Sequence, residues 1–197
     1  MTATATATAN PTTLPQIDGY TAGHWVIDPV HSDLSFTARH LMVSKVRGHF
    51  RDFDGEVVLA ENPLESTVNA NIRVASIDTN NEGRDNHVRS GDFFDVENHP
   101  TATYRSTGVR LEDGDFIVDG ELSLRGVTRS VPLTVEINGF GADPMAQGGS
   151  RSGFTARGRI NRKDFDINFA GVMNGVTVLG DNIDLTLEIE ASLAAAA

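Results

Sequence analysis

The chain has no cysteine. That excludes a disulfide framework, a thiolate nucleophile and a cysteine zinc site, and it leaves the redox compartment unread. It also has no basic stripe: 16 lysines and arginines stand against 27 aspartates and glutamates, a formal net charge of −11. Nucleic-acid recognition needs a cationic face and is excluded on this ground. The same balance disfavours docking to an anionic membrane surface. No apolar run approaches membrane-spanning length. The start, Met1 to Asn10, is Thr/Ala repetition without the basic and apolar regions of a secretory signal, so the expected location is cytoplasmic.

What is abundant is alternation. Ile183 to Glu190 reads Ile-Asp-Leu-Thr-Leu-Glu-Ile-Glu. A strand turns successive side chains to opposite faces, which sends Ile183, Leu185, Leu187 and Ile189 inward and the acids and Thr186 to water. The same period marks His24–Asp28, Leu34–His40, 67–75, Thr101–Leu111, Asp115–Leu124, Val131–Ile137 and Phe154–Ile160, with a shorter piece near 174–179. The stretch 45–60 reads as one long strand bent near Asp52–Gly55. Turn residues punctuate these runs at Glu112-Asp113-Gly114, Arg125-Gly126 and a Gly-rich 141–151 loop.

One segment breaks the rhythm. Asn80–Ser90 offers an Asn cap and Asp85, Val88 and Arg89 at helical spacing, closed by Gly91, which predicts one short helix. Asp92-Phe93-Phe94-Asp95 follows as a capped turn tucking two phenylalanines under the fold. Helix and turn together are expected to act as a gate or plug, or as a rigid crossover covering one end. Residues 1–18 and 194–197 read as tails flanking a single domain over 19–193.

Eight to ten strands with one wet face each imply a closed barrel or a two-sheet sandwich, and the absence of a protected edge favours closure. The expected fold is all-β, an antiparallel barrel of about eight strands with one short helix. Such an interior is just wide enough to be filled by side chains or to hold one slim ligand. Small residues (Ala38, Ala70, Ala102, Gly120, Ala156 and Gly158) fall on the inward parity. They either taper a packed core or leave a lumen. Periodicity reports the face and not the volume, so both readings stand equal here.

Catalytic and metal constellations are weak. His31, His40 and His49 lack the local paired spacing of zinc ligands, so no metal is expected. His31-Ser32-Asp33 holds triad residue types, but neighbours in sequence point to different faces, and no G-x-S-x-G elbow occurs. Ser32 is better read as bonding nearby backbone at a turn. Asp28, Asp33, Asp92 and Asp95 sit where capping explains them, and Gly148-Gly149-Ser150 lacks the lysine and helix of a phosphate loop.

Several motifs together resemble one family. Trp25-Val-Ile-Asp28-Pro-Val-His31-Ser32, Phe36-Thr-Ala-Arg-His40 and Gly48-His-Phe50 are similar to the N-terminal signature of the YceI-like proteins. So are Ala75-Ser-Ile-Asp78-Thr79, the run Arg84 to Val96, His99-Pro100, Gly120-Glu-Leu122-Ser-Leu124-Arg125-Gly126-Val-Thr128 and Asn161-Arg-Lys-Asp-Phe165. The resemblance spans about Gly23 to Ala191. It implies an extended lipocalin-like barrel whose lumen holds a long apolar ligand, a polyisoprenoid such as a quinone tail or another lipid, with no catalysis established for the family as a whole. Asp166 stands where the family usually has Gly.

The expected function is therefore non-catalytic binding, storage or transport of a long-chain lipid or isoprenoid, without another cofactor. The alternative is a lumenal hydrolase or isomerase acting on a prenyl or acyl substrate. Inward parity nominates Phe36, Ala38, Val68, Ala70, Ile72, Val118, Leu122, Phe154, Ala156 and Leu187 as the lining. His31, His40 and Arg89 are nominated as head-group contacts. A homodimer is left open.

Overall fold

The computed structural model describes residues 14–195 except 147, 170, 171 and 174. Its strands are β1 (Gly23–Ile27), β2 (Asp33–His40), β3 (Ser44–Phe50), β4 (Phe53–Leu59), β5 (Thr67–Arg73) and β6 (Ile77–Asp78). After helix α1 (Glu82–Arg89) come β7 (Thr101–Glu112), β8 (Asp115–Leu124), β9 (Val127–Ser130), β10 (Leu133–Ala142) and β11 (Ser150–Asn161). The remainder are β12 (Val172–Met173), β13 (Val176–Thr177) and β14 (Leu179–Leu193).

These segments close into eight antiparallel staves. β1 and β2 are two halves of one bent stave, because both pair with β14: Trp25 opposes Leu193, and Leu34 opposes Leu187. β3 and β4 form a second bent stave, β3 against β2 and β4 against β1. From β4 the ladder passes through β5, β7, β8, β10 and β11 back to β14. The expected all-β barrel with one helix is the observed fold.

Local chemistry explains the joints. Asp113-Gly114 and Arg125-Gly126 both take positive φ, the signs that two-residue hairpin turns require. The second of these folds β9 back onto β8, a strand the alternation did not reveal. Pro132 then intervenes, and β10 runs from Leu133 rather than Val131 and on to Ala142. The bend in 45–60 falls at Arg51-Asp52, just before the expected Asp52–Gly55. The piece near 174–179 resolves into the β12–β13 hairpin and the start of β14.

At the β1–β2 elbow, Ser32 replaces a missing rung. Its Oγ accepts from Glu190 N at 2.9 Å and donates to Glu190 O at 3.2 Å. The expectation of a bond to nearby backbone is corrected: the partner lies across the barrel seam, where Asp28 N still donates to Glu190 O at 2.8 Å but the N–H of Glu190 takes the Ser32 hydroxyl as its acceptor.

One end of the barrel is sealed. Trp25 and Ala191 are fully buried with Val57, Leu59 and Phe154. Phe140 packs edge-on against both Tyr20 and Trp25, at 5.5 and 5.6 Å between ring centres. Tyr20 is pinned by its hydroxyl donating to Ala60 O at 2.6 Å. Of the expected N-terminal tail, residues 1–13 lie outside the described residues. Leu14 and Ile17 are half-buried and Tyr20 N donates to Ile17 O, so 14–18 is corrected from loose tail to ordered lead-in. Ala194 N likewise donates to His24 O, while Ala196 and Ala197 lie outside the described residues.

Candidate functional site

The small inward residues divide between the two roles open at the sequence level. Gly120 and Gly158 make room for neighbours: a Cβ on Gly158 would stand 2.6 Å from Leu133 Cδ2. Ala38, Ala70 and Ala156 instead line an internal cavity of about 490 Å³. That volume lies within the range of small-molecule pockets, roughly 300–1,000 Å³.

Exposure separates lumen from packed core. Val68, Ala70, Leu122, Ile183, Leu185 and Leu187 all point inward, yet each is only half-buried, because open space reaches it from within. A core packed at the density usual for protein interiors would bury such residues completely. All ten residues nominated as lining (Phe36, Ala38, Val68, Ala70, Ile72, Val118, Leu122, Phe154, Ala156 and Leu187) border this one cavity. Three aromatic rings run in series along its wall, Phe36 to Phe50 at 5.8 Å and Phe50 to Phe94 at 5.9 Å.

The cavity meets solvent beside α1. Among the described lining residues, only Arg84 and His87 are themselves exposed, and both belong to that helix. Asn81 caps α1 by accepting from Arg84 N at 2.9 Å. Buried Asp85 accepts from Thr79 N and Thr79 Oγ1 at 2.9 and 2.5 Å, tying the helix to the residue after β6. Arg84 then lies over Thr79, its Nε donating to Thr79 Oγ1 and its Nη2 to Thr79 O, both at 2.7 Å. His87 stands edge-on to Phe93 and Phe169, at 5.1 Å from each ring, and bonds Asp92 at 2.9 Å.

His40 lines the cavity near this mouth, as does buried Arg162, which donates to Ile167 O at 2.6 Å and to Asp181 at 2.9 Å. The mouth is thus cationic and aromatic, and the interior behind it is apolar apart from a few hydroxyls. One of those is Tyr104, whose phenol donates to the carbonyls of Val118 and Val131 at 3.1 Å and is pushed well above its ordinary pKa by burial.

Two nominated head-group contacts lie elsewhere. Arg89 turns away from the cavity and donates to Ala75 O and Ile77 O at 2.8 and 2.7 Å, anchoring α1 to the barrel wall. His31 sits on the outer elbow between β1 and β2, where it bonds Asp28 at 2.9 Å. Asp28, His31 and Glu190 bring three metal-competent atoms together. Arg151 already supplies the positive charge there, its Nη1 at 2.5 Å from Asp28 and 2.9 Å from Glu190. Asp166 lies outside the lining; it ends the Arg162–Phe165 turn at φ 57°, a left-handed position that Gly takes freely and Asp tolerates.

Sequence reasoning missed Arg84, His87 and Phe169. Arg84, His87 and Val88 sit at i, i+3 and i+4, one helical face, a signal present once the helix is placed. Phe169 carries no local pattern.

The profile of the YceI-like domain matches residues 25–191. The chain belongs to the YceI-like family. This YceI-like chain is 40% identical over 164 residues to protein YceI of Escherichia coli, covering 81% of each. Its barrel superposes on the crystal structure of Burkholderia cenocepacia BcnA with a TM-score of 0.72 at 21% identity, covering 83% of this chain and 98% of that one. A polyisoprenoid binding domain from Saccharophagus degradans, implicated in plant cell wall breakdown, superposes with a TM-score of 0.63 at 14% identity. That match covers 88% of this chain and all of the other. At these identities the two structures speak to the fold alone.

Proposed function

We propose that this protein binds a single long apolar chain, of polyisoprenoid type, in its barrel lumen and carries or stores it without chemical change. The observation that carries this reading is the ring of inward aliphatic residues left half-exposed around the 490 Å³ cavity. A wall of Val, Leu, Ile and Phe offers no hydrogen bonds to water, and apolar cavities of this kind stay dry or take apolar guests. Each methylene drawn in contributes about 0.8 kcal/mol, so chain length dominates affinity. A polar or anionic head would rest among His40, Arg84 and His87. The polyisoprenoid-binding fold neighbour lends support to the ligand class.

The non-catalytic part is supported by how the mouth residues are engaged. Arg84 is committed to Thr79, Arg89 to backbone carbonyls and His87 to Asp92. Among the described residues no serine or threonine hydroxyl bonds the ring of His40 or His87, the pairing that nucleophilic hydrolysis needs. Native mass spectrometry of the purified protein, followed by lipid extraction, tests both parts. An unmodified long-chain lipid at one copy per barrel is expected. A barrel that never acquires lipid, even from detergent-solubilised polyprenol, would overturn the reading. Turnover of an added prenyl ester would overturn the non-catalytic part.

A further inference from the structure

We infer that the tip of the β2–β3 hairpin docks the barrel mouth onto an anionic phospholipid bilayer. The tip is Leu41-Met42-Val43, exposed by 39, 55 and 84%. Val172 and Val176 are exposed by 60 and 50% on the β12–β13 hairpin, whose strand leads into Val178; Leu41 N bonds Val178 O at 2.9 Å. His40, Val46, Val178 and Leu179, which flank these tips, line the cavity. The apolar patch is therefore the outer continuation of the lumen wall, beside the opening at Arg84 and His87.

The tip residues work against the turn they form. Val43 N bonds His40 O, and the two central residues, Leu41 and Met42, take φ of 50° and 59°. Asn-Gly is the usual solution for such a turn, and bulky apolar side chains are disfavoured in the left-handed region. Folding alone would not select Leu-Met there.

Charge names the occupant. From Leu34 to Arg51 the hairpin carries Arg39, Lys45, Arg47 and Arg51 and no acid, in a chain of net charge −11. Among the described residues, the side chains of Arg39, Lys45 and Arg47 form no ion pair or hydrogen bond, whereas those of the other 13 of the chain's 16 lysines and arginines each have at least one, Arg51 with Asp78 included. Arg39 lies directly opposite Lys45 in the ladder, a like-charge pairing that destabilises a sheet unless an anion neutralises it. An apolar tip ringed by unpaired cations fits the boundary between lipid head groups and acyl chains. Docking there would let a lipid pass between bilayer and lumen without crossing water. That consequence rests on the carrier reading above; the docking itself does not.

The test is co-sedimentation with phosphatidylcholine vesicles made with and without phosphatidylglycerol. Four proteins are compared: the parent, Leu41→Asn/Met42→Gly, Lys45→Gln/Arg47→Gln, and a distant charge control, Arg157→Gln. The parent and the control should pellet with anionic vesicles, less so as salt rises, and hardly at all with neutral ones. Lys45→Gln/Arg47→Gln should weaken partitioning on the order of tenfold or more. Leu41→Asn/Met42→Gly should lose pelleting while melting at or above the parent temperature, so misfolding cannot explain the loss. Equal pelleting of all four proteins, or none by the parent, overturns the proposal. So does a parent dimer that the tip variant converts to monomer with vesicle binding unchanged, which would make a second copy the occupant. Vesicle binding by a parent that takes up no lipid, even from detergent-solubilised polyprenol, supports docking and overturns the carrier reading alone.

Discussion

The ring of Tyr104 occupies the space that a side chain at position 120 would take: a Cβ on Gly120 would fall 2.4 Å from Tyr104 Cζ. Gly120→Ala therefore forces the ring or β8 to move and should destabilise the protein by about 1–3 kcal/mol. Tyr104→Phe removes only the hydroxyl and its bonds to Val118 O and Val131 O, for a loss of about 1 kcal/mol. Urea midpoints of the two variants should rank in that order.

Ala70 lines the lumen opposite Tyr104 on the neighbouring stave. In a packed core, Ala70→Trp would cost about 1–3 kcal/mol or more. Here the indole has a cavity to enter, so thermal stability should hold within a few degrees while co-purifying lipid disappears. A large fall in melting temperature, with lipid retained, would mean the indole never reached the lumen.

The His31–Asp28 clasp predicts a pH profile. The bond to Asp28 raises the pKa of His31, with Glu190 adding to the effect and Arg151 opposing it. Its contribution is full below the ordinary histidine value of about 6.5 and fades as pH rises through the raised folded value. Asp28 is held well below the usual carboxylate range by His31 and Arg151, so its share is present above about pH 4 and fades as pH falls through its lowered value. Stability from the clasp should peak between about pH 4 and pH 6.5. His31→Ala should flatten the alkaline limb of the melting-temperature profile, and the limb's slope in parent and variant is the measurement.

Arg89 is expected to govern how firmly α1 closes the mouth. Arg89→Ala strands the carbonyls of Ala75 and Ile77 and should ease local opening by about 1–2 kcal/mol. Hydrogen exchange across 82–90 should quicken, with protection of β11 and β14 unchanged. A loaded lipid should leave faster from the variant, read by transfer to acceptor vesicles.

Much of this architecture is legible in the sequence. The alternation from Ile183 to Glu190 names the inward face of β14, and the same parity identifies the lining on β2, β5, β8 and β11. What parity cannot give is volume. Gly120 and Ala70 share the inward parity, yet Tyr104 fills the space beside one while the other borders the cavity, because that depends on which stave lies alongside. His31 and Arg89 were misplaced for a related reason: their sequence motifs do not say which side of the wall a turn or helix presents. Net charge is blind to local sign: a sum of −11 conceals the stretch from Leu34 to Arg51, which carries four cations and no acid.

The pairing of β14 with both β1 and β2 also sets the order of assembly. The first two strands have one of their ladder partners far downstream, from 139 residues at His40–Leu179 to 168 at Trp25–Leu193, as the bond between Ser32 and Glu190 also records. While the chain emerges from the ribosome, every stave before β14 can form, but the sheet stays an open ribbon with two bare edges. Such contacts are slow to find, and an unpaired edge invites pairing with other chains. The container is complete only once Leu179–Leu193 slots into the seam. A ribosome-stalled chain lacking those residues should be protease-sensitive, unable to hold lipid, and dependent on chaperones for its solubility.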